Sequence, residues 1–150
     1  MNQPMLTSRL QRGLIISGAI AFAIVQQFWM YGTFATPLEQ ESRLVLTRTA
    51  NIATVLTVLT LNAVLVLRAH KVRFGLAARL NGIAAGAGSL LGAVLTSIWA
   101  PDLVFQEGFS ASQLLSILIS STVLGLATAV VGVAVVWIFR LFLGAKALGT

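Results

Sequence analysis

Thr47, Arg48, Asn51, Thr54 and Asn62 lie along a single apolar run, and at 100° per residue they share roughly a third of a helical circumference. Amide and guanidinium groups left unpaired in hydrocarbon are costly, so such a stripe needs either water or protein partners. Water would make it the lining of a solute pathway or of an anion-attracting vestibule. Protein would make it a helix–helix seam, stitched by side-chain hydrogen bonds worth roughly 0.6–2 kcal/mol each. Arg48 stands near one end of the run, where a long cationic side chain also snorkels to the headgroups. We favour the seam.

Gln26 and Gln27 stand near the middle of an earlier apolar run. Adjacent helical residues point about 100° apart, so at least one faces the interior, where it can meet Asn51 or Asn62. A different signal sits further on, in Gly82-x-x-x-Gly86, Gly88-x-x-x-Gly92 and Ser121-x-x-x-Gly125. Small residues at this spacing let two helix backbones approach closely and gain dispersion contacts that lipid does not match. They mark packing faces without saying whose helix packs there.

Little else could do chemistry. Cysteine is absent and His70 is the only histidine, which removes disulfides, thiolate nucleophiles and His-based metal clusters. His70 itself stands among basic residues and reads as solvated. None of the apolar runs holds an acid or a lysine, against proton-coupled carboxylate exchange and against a retinal Schiff base. No phosphate-cradling glycine loop, nucleophile elbow or metal motif occurs. An enzyme and a bound cofactor are therefore not expected. In size the chain matches small four-helix exporters and fluoride channels, but it lacks their signature residues.

The elements that must position these groups are set by composition. The chain has 150 residues, 57% hydrophobic and 9% charged, with mean hydropathy +0.93. Soluble domains carry roughly 25% charged residues, so a water-facing surface is out of reach. A net charge of +6 would suggest nucleic acid in a soluble protein, but a membrane accounts better for where the charges stand.

Four apolar runs are each long enough to cross the ~30 Å hydrocarbon core as a helix. We place the spans at about 14–35, 44–67, 80–100 and 114–140. Trp29, Tyr31, Trp99 and Trp137 lie near span ends, where amphipathic rings favour the boundary. The fourth apolar run continues to Leu143, longer than a perpendicular span needs, which implies tilt or an extended end. A cleaved signal peptide is the rival reading of the first run, since Arg9, Arg12 and the apolar stretch after them imitate one. Phe28, Trp29, Met30, Tyr31 and Phe34 crowd the segment before any cut, and they argue for retention.

Turn chemistry separates the spans. Thr36-Pro37-Leu38-Glu39 reads as a capping box with proline at the first helical position, and Ser110-Ala111-Ser112-Gln113 reads as another. Between the second and third spans lies LRAHKVRFGLAAR, residues 67–79, with Arg68, Lys71, Arg73 and Arg79 and no acid. Its basic character suffices as a topological signal, although such a loop also attracts anionic lipid. Placing this loop and both termini inside puts eight of the ten basic residues there and leaves Arg43 and Arg48 outside. An offset of 64 residues aligns Arg9 with Arg73, Gly18 with Gly82 and Pro37 with Pro101, too few matches to establish a duplication.

These readings define an all-α integral membrane four-helix bundle, built as two transmembrane hairpins in one domain, with both termini cytoplasmic. A bacterial cytoplasmic membrane is the default location. The expected partners are the lipid bilayer and either further copies of the chain or another membrane protein, not nucleic acid. The expected role is an accessory, assembly or packing subunit acting through helix contacts. The alternative is an oligomeric small-solute channel or transporter built on the polar face of the second helix.

Overall fold

Periodic small and polar positions within long apolar runs dictate helices that hide one narrow stripe and offer the rest to lipid. The computed structural model has that form. It describes residues 8–34, 39–68, 73–100 and 110–147. Four helices make up the fold: α1 (Ser8–Phe34), α2 (Gln40–Arg68), α3 (Phe74–Trp99) and α4 (Ala111–Ala147). All four are long and apolar enough to cross a membrane, and no strand occurs among the described residues. The chain is an all-α four-helix bundle. Successive helices alternate in direction, so the start of α1, the α2–α3 connection and the end of α4 share one end.

Each helix is longer than its apolar window, because it continues into polar flanks such as Ser8–Arg12 and Gln40–Arg43. The start of α4 is capped as its sequence suggests. Ser110 Oγ accepts from the Gln113 backbone N–H at 3.3 Å, and Gln113 Oε1 accepts from the Ser110 N–H at 3.2 Å. The proposed Thr36-Pro37-Leu38 cap lies outside the described residues, as do His70, Lys71, Asp102, Glu107 and the side chain of Trp99. Arg43, one of the two basic residues that depart from the charge asymmetry, has a local role. Its guanidinium donates to the Thr33 carbonyl at the C-terminal end of α1, which satisfies an acceptor the helix cannot. There the helices nearly touch: a Cβ on Gly32 would lie 2.6 Å from Thr47 Oγ1 and 2.9 Å from the Thr47 nitrogen.

The central element is α3, whose span is 39% buried against 22–28% for the others. Its glycine pairs point to different neighbours. Gly82 and Gly86 meet Gly125 and the Ser121 carbonyl of α4, while Gly88 and Gly92 meet Ala19, Phe22 and Gln26 of α1. Two positions separate Gly86 from Gly88, about 200° around the helix, so one helix serves two close contacts on opposite sides. The buried core joins Leu14 and Phe22 of α1, Val58, Leu61 and Leu65 of α2, Ala77, Leu80 and Ala84 of α3, and Val136 of α4. These positions cluster toward the end that holds the basic loop. At that end Arg140 lies over the Phe74 ring, 4.5 Å from its centroid.

From the charge asymmetry this basic end is expected to be the inner one, and that expectation has a direct check. The native chain has no thiol to compete. Impermeant maleimide added to intact cells should label Ser110→Cys and spare His70→Cys. Equal labelling of the two would overturn the orientation.

Candidate functional site

Two fully enclosed amides meet where α2, α3 and α4 converge. Asn62 and Asn81 are 0% and 1% exposed. Each amide donates to the other's carbonyl oxygen at 3.0 Å, Asn62 Nδ2 to Asn81 Oδ1 and Asn81 Nδ2 to Asn62 Oδ1. The second proton on each nitrogen goes back to its own helix, to the Val58 and Ala77 carbonyls, both at 2.8 Å. All four N–H donors of the pair are therefore used inside the protein. Gly132 of α4 lies directly against the Asn81 amide, where any side chain would collide with it. Glycine is the residue that lets α4 cover the pair.

A second polar cluster joins α1 to α3. Gln27 Nε2 donates to the Gly92 carbonyl at 2.9 Å and to the Ala23 carbonyl at 3.3 Å. The Thr96 hydroxyl lies within donating distance of Gln27 Oε1, at 3.0 Å, and of the Gly92 carbonyl, at 2.9 Å. The neighbouring Gln26 turns its Oε1 against Gly92, buried and without a hydrogen-bond partner among the described residues. Neither glutamine pairs with Asn51 or Asn62; both work against α3. A third contact links α3 to α4, where Ser121 Oγ donates to Ser89 Oγ at 3.0 Å. It lies beside the Gly86–Gly125 approach, so the small residues of both helices form one seam.

The polar stripe expected on α2 is divided. Asn62 is fully enclosed, and Thr54 returns its hydroxyl to the Ala50 carbonyl at 2.9 Å. Arg48 and Asn51 are exposed. Asn51 and Asn62 do share a helical face, but α2 is covered on that face only in its second half. Ala50 is the one fully buried residue of α2 before Val58. Angular periodicity reports which side of a helix a residue is on, not how far along the helix its neighbour extends.

Asn81 and Gly132 carried no signal of their own in the sequence. One was available in depth: Asn62 and Asn81 each stand nine residues from the Lys71–Val72 bond, so an antiparallel hairpin brings them level. Thr96 looked like any hydroxyl that could bond its own helix, as Thr57 and Thr122 do.

Two spaces open to the outside lie on the bundle surface. One of about 470 Å³ lies at Glu39, Ser42 and Val45, and one of about 400 Å³ lies between α1 and α2 along Ser17, Ala21, Thr57 and Thr60. With four apolar helices around a hydrogen-bonded interior, the chain is a small multi-pass membrane protein. No protein-family model, curated protein or solved structure matches it significantly.

Proposed function

We propose that the protein is a non-enzymatic accessory or assembly subunit that acts through helix contacts within the membrane. The observation that carries this reading is the closed Asn62–Asn81 pair. A conduit through the bundle needs polar groups free to exchange partners with water or solute. At the level of this pair the amides have no donor left to offer, and Gly132 packs directly against the Asn81 side chain. Gln27, Thr96, Ser89 and Ser121 are likewise engaged within the protein.

A conduit formed between copies is the competing reading, and the exposure of Arg48 and Asn51 is what favours it. The two readings diverge on purification. Extracted from its native membrane in mild detergent, the protein should appear by native mass spectrometry with a stoichiometric partner of different mass. Reconstituted alone, it should leave liposomes no more permeable to small ions and polar solutes than empty ones. A homo-oligomer that passes solute would overturn the accessory reading.

A further inference from the structure

The structure leaves one polar pair of the membrane-spanning region unexplained. Arg48 and Asn51 are exposed, and neither has a hydrogen-bond or ion-pair partner among the described residues. Their depth makes this notable. The 29 residues of α2 extend about 43 Å, against a hydrocarbon core of ~30 Å. If α2 is centred, about 6 Å of helix protrudes at each end. Arg48 then lies about 6 Å inside the boundary and Asn51 about 10 Å inside, at 1.5 Å per residue. The arginine is long enough to snorkel to the headgroups, but a carboxamide is not. An amide facing lipid at that depth invites a protein partner.

The apolar residues around the pair show what shape of partner fits. Val45, Ile52, Val55 and Leu59 flank Arg48 and Asn51, and these apolar side chains are 37–62% exposed. Positions 45, 48, 52, 55 and 59 alternate steps of three and four, the spacing of a coiled-coil seam. Among the described residues nothing covers that seam.

Charge selects the occupant. A second copy in the same orientation would bring Arg48 against Arg48 across a two-fold axis. It would also supply no acid at that depth, since all four acids, Glu39, Glu41, Asp102 and Glu107, lie outside the apolar parts of the spans. We infer that this face of α2 binds a transmembrane helix of another protein that carries a carboxylate level with Arg48 and Asn51. The guanidinium would neutralise the carboxylate, and the Asn51 amide would donate to it or to the adjoining backbone. Apolar packing along Val45, Ile52, Val55 and Leu59 would supply the remaining contact. The inference rests on the accessory reading and names the chemistry of its partner.

The test uses the full chain in lipid vesicles and model transmembrane helices of leucine and alanine. One helix carries a single glutamate at the depth of Arg48; its counterparts carry glutamine or leucine there. Association is read by energy transfer between a dye on the helix and one on the chain, in zwitterionic and in anionic vesicles. The glutamate helix should bind about tenfold more tightly than the leucine helix in both lipids. Arg48→Leu and Asn51→Leu should each reduce that preference without loss of helicity, because neither side chain contributes to the core. Arg48→Glu should transfer the preference to a helix bearing lysine. Equal binding of the glutamate and leucine helices would overturn the inference, as would an unchanged preference in Arg48→Leu. A preference confined to anionic vesicles would also overturn it, and would assign Arg48 to lipid headgroups. If this test fails while a stoichiometric partner still copurifies, the accessory reading stands and only the acidic helix is lost.

Discussion

Gly88→Ala should destabilise the bundle by about 1–3 kcal/mol, and Gly88→Leu should prevent α1 and α3 from docking. The reason is what a first side-chain carbon would meet. A Cβ at Gly88 falls 2.5 Å from Phe22 Cβ and 2.6 Å from the Ala19 carbonyl oxygen. Neither is the free end of a flexible side chain. One is fixed to the α1 backbone and the other is part of it, so relief requires α1 to move away as a unit. That movement would also pull Gln27 from the Gly92 carbonyl and from Thr96, since these bonds cross the same contact. Gly13 and Gly75 supply internal controls, because a Cβ at either meets nothing within 4 Å. Alanine there should be neutral or slightly stabilising, as it is in exposed helix. Reversible unfolding in mixed micelles would measure all three, with Leu95→Ile as a conservative change on the lipid side. A Gly88→Ala protein that unfolds with the wild type would show that α1 and α3 do not approach this closely.

The glycine spacing of α3 was legible, and its consequence was only half legible. Gly82-x-x-x-Gly86 and Gly88-x-x-x-Gly92 announce close packing by composition alone. That the two pairs serve different neighbours follows from the angle between Gly86 and Gly88. Which neighbour lies on which side does not, because hydropathy is uniform around a helix that faces lipid or protein with similar side chains. The spans and the capped start of α4 are legible for a firmer reason. Burying an unpaired backbone in hydrocarbon is so costly that a long apolar run has almost no alternative to a helix. The Ser110–Gln113 box is local, so four consecutive residues specify it.

The polar interior was harder to read, because each polar side chain in a membrane helix has a local alternative. Threonine and serine can bond the preceding turn of their own helix, and Thr49, Thr54 and Thr57 do so. Asparagine and glutamine have both donors and an acceptor, so their own helix satisfies only part of the group. That is why Asn62, Asn81 and Gln27 reach across helices. It is also why Asn51, without such a reach among the described residues, stands out. A stripe drawn on one helix cannot separate Asn51 from Asn62, since their difference lies in the other helices.

Asn62→Leu should cost about 2 kcal/mol, because it strands the Asn81 amide in an apolar interior rather than merely deleting one contact. Leucine is close to asparagine in shape, so packing should change little. In its place Asn81 loses an acceptor and a donor for groups that are 1% exposed as a residue. Asn81→Leu should have a similar effect for the same reason. The double replacement removes both needs at once, so its cost should fall short of the two single costs by about 0.6–1.7 kcal/mol, the range of interhelical hydrogen bonds in membranes. Asn62→Asp should be worse than Asn62→Leu. It substitutes an oxygen for the nitrogen that now donates to the Val58 carbonyl at 2.8 Å and to Asn81 Oδ1 at 3.0 Å. Two acceptors would then face an acceptor, and even a protonated acid offers one donor where two are used. Unfolding in mixed micelles would give the four free energies of the cycle. Strict additivity would mean that the two amides are not coupled. A stably folded Asn62→Asp protein with its carboxylate ionised near neutral pH would mean that water reaches Asn62, and the bundle would then be a conduit rather than a closed scaffold.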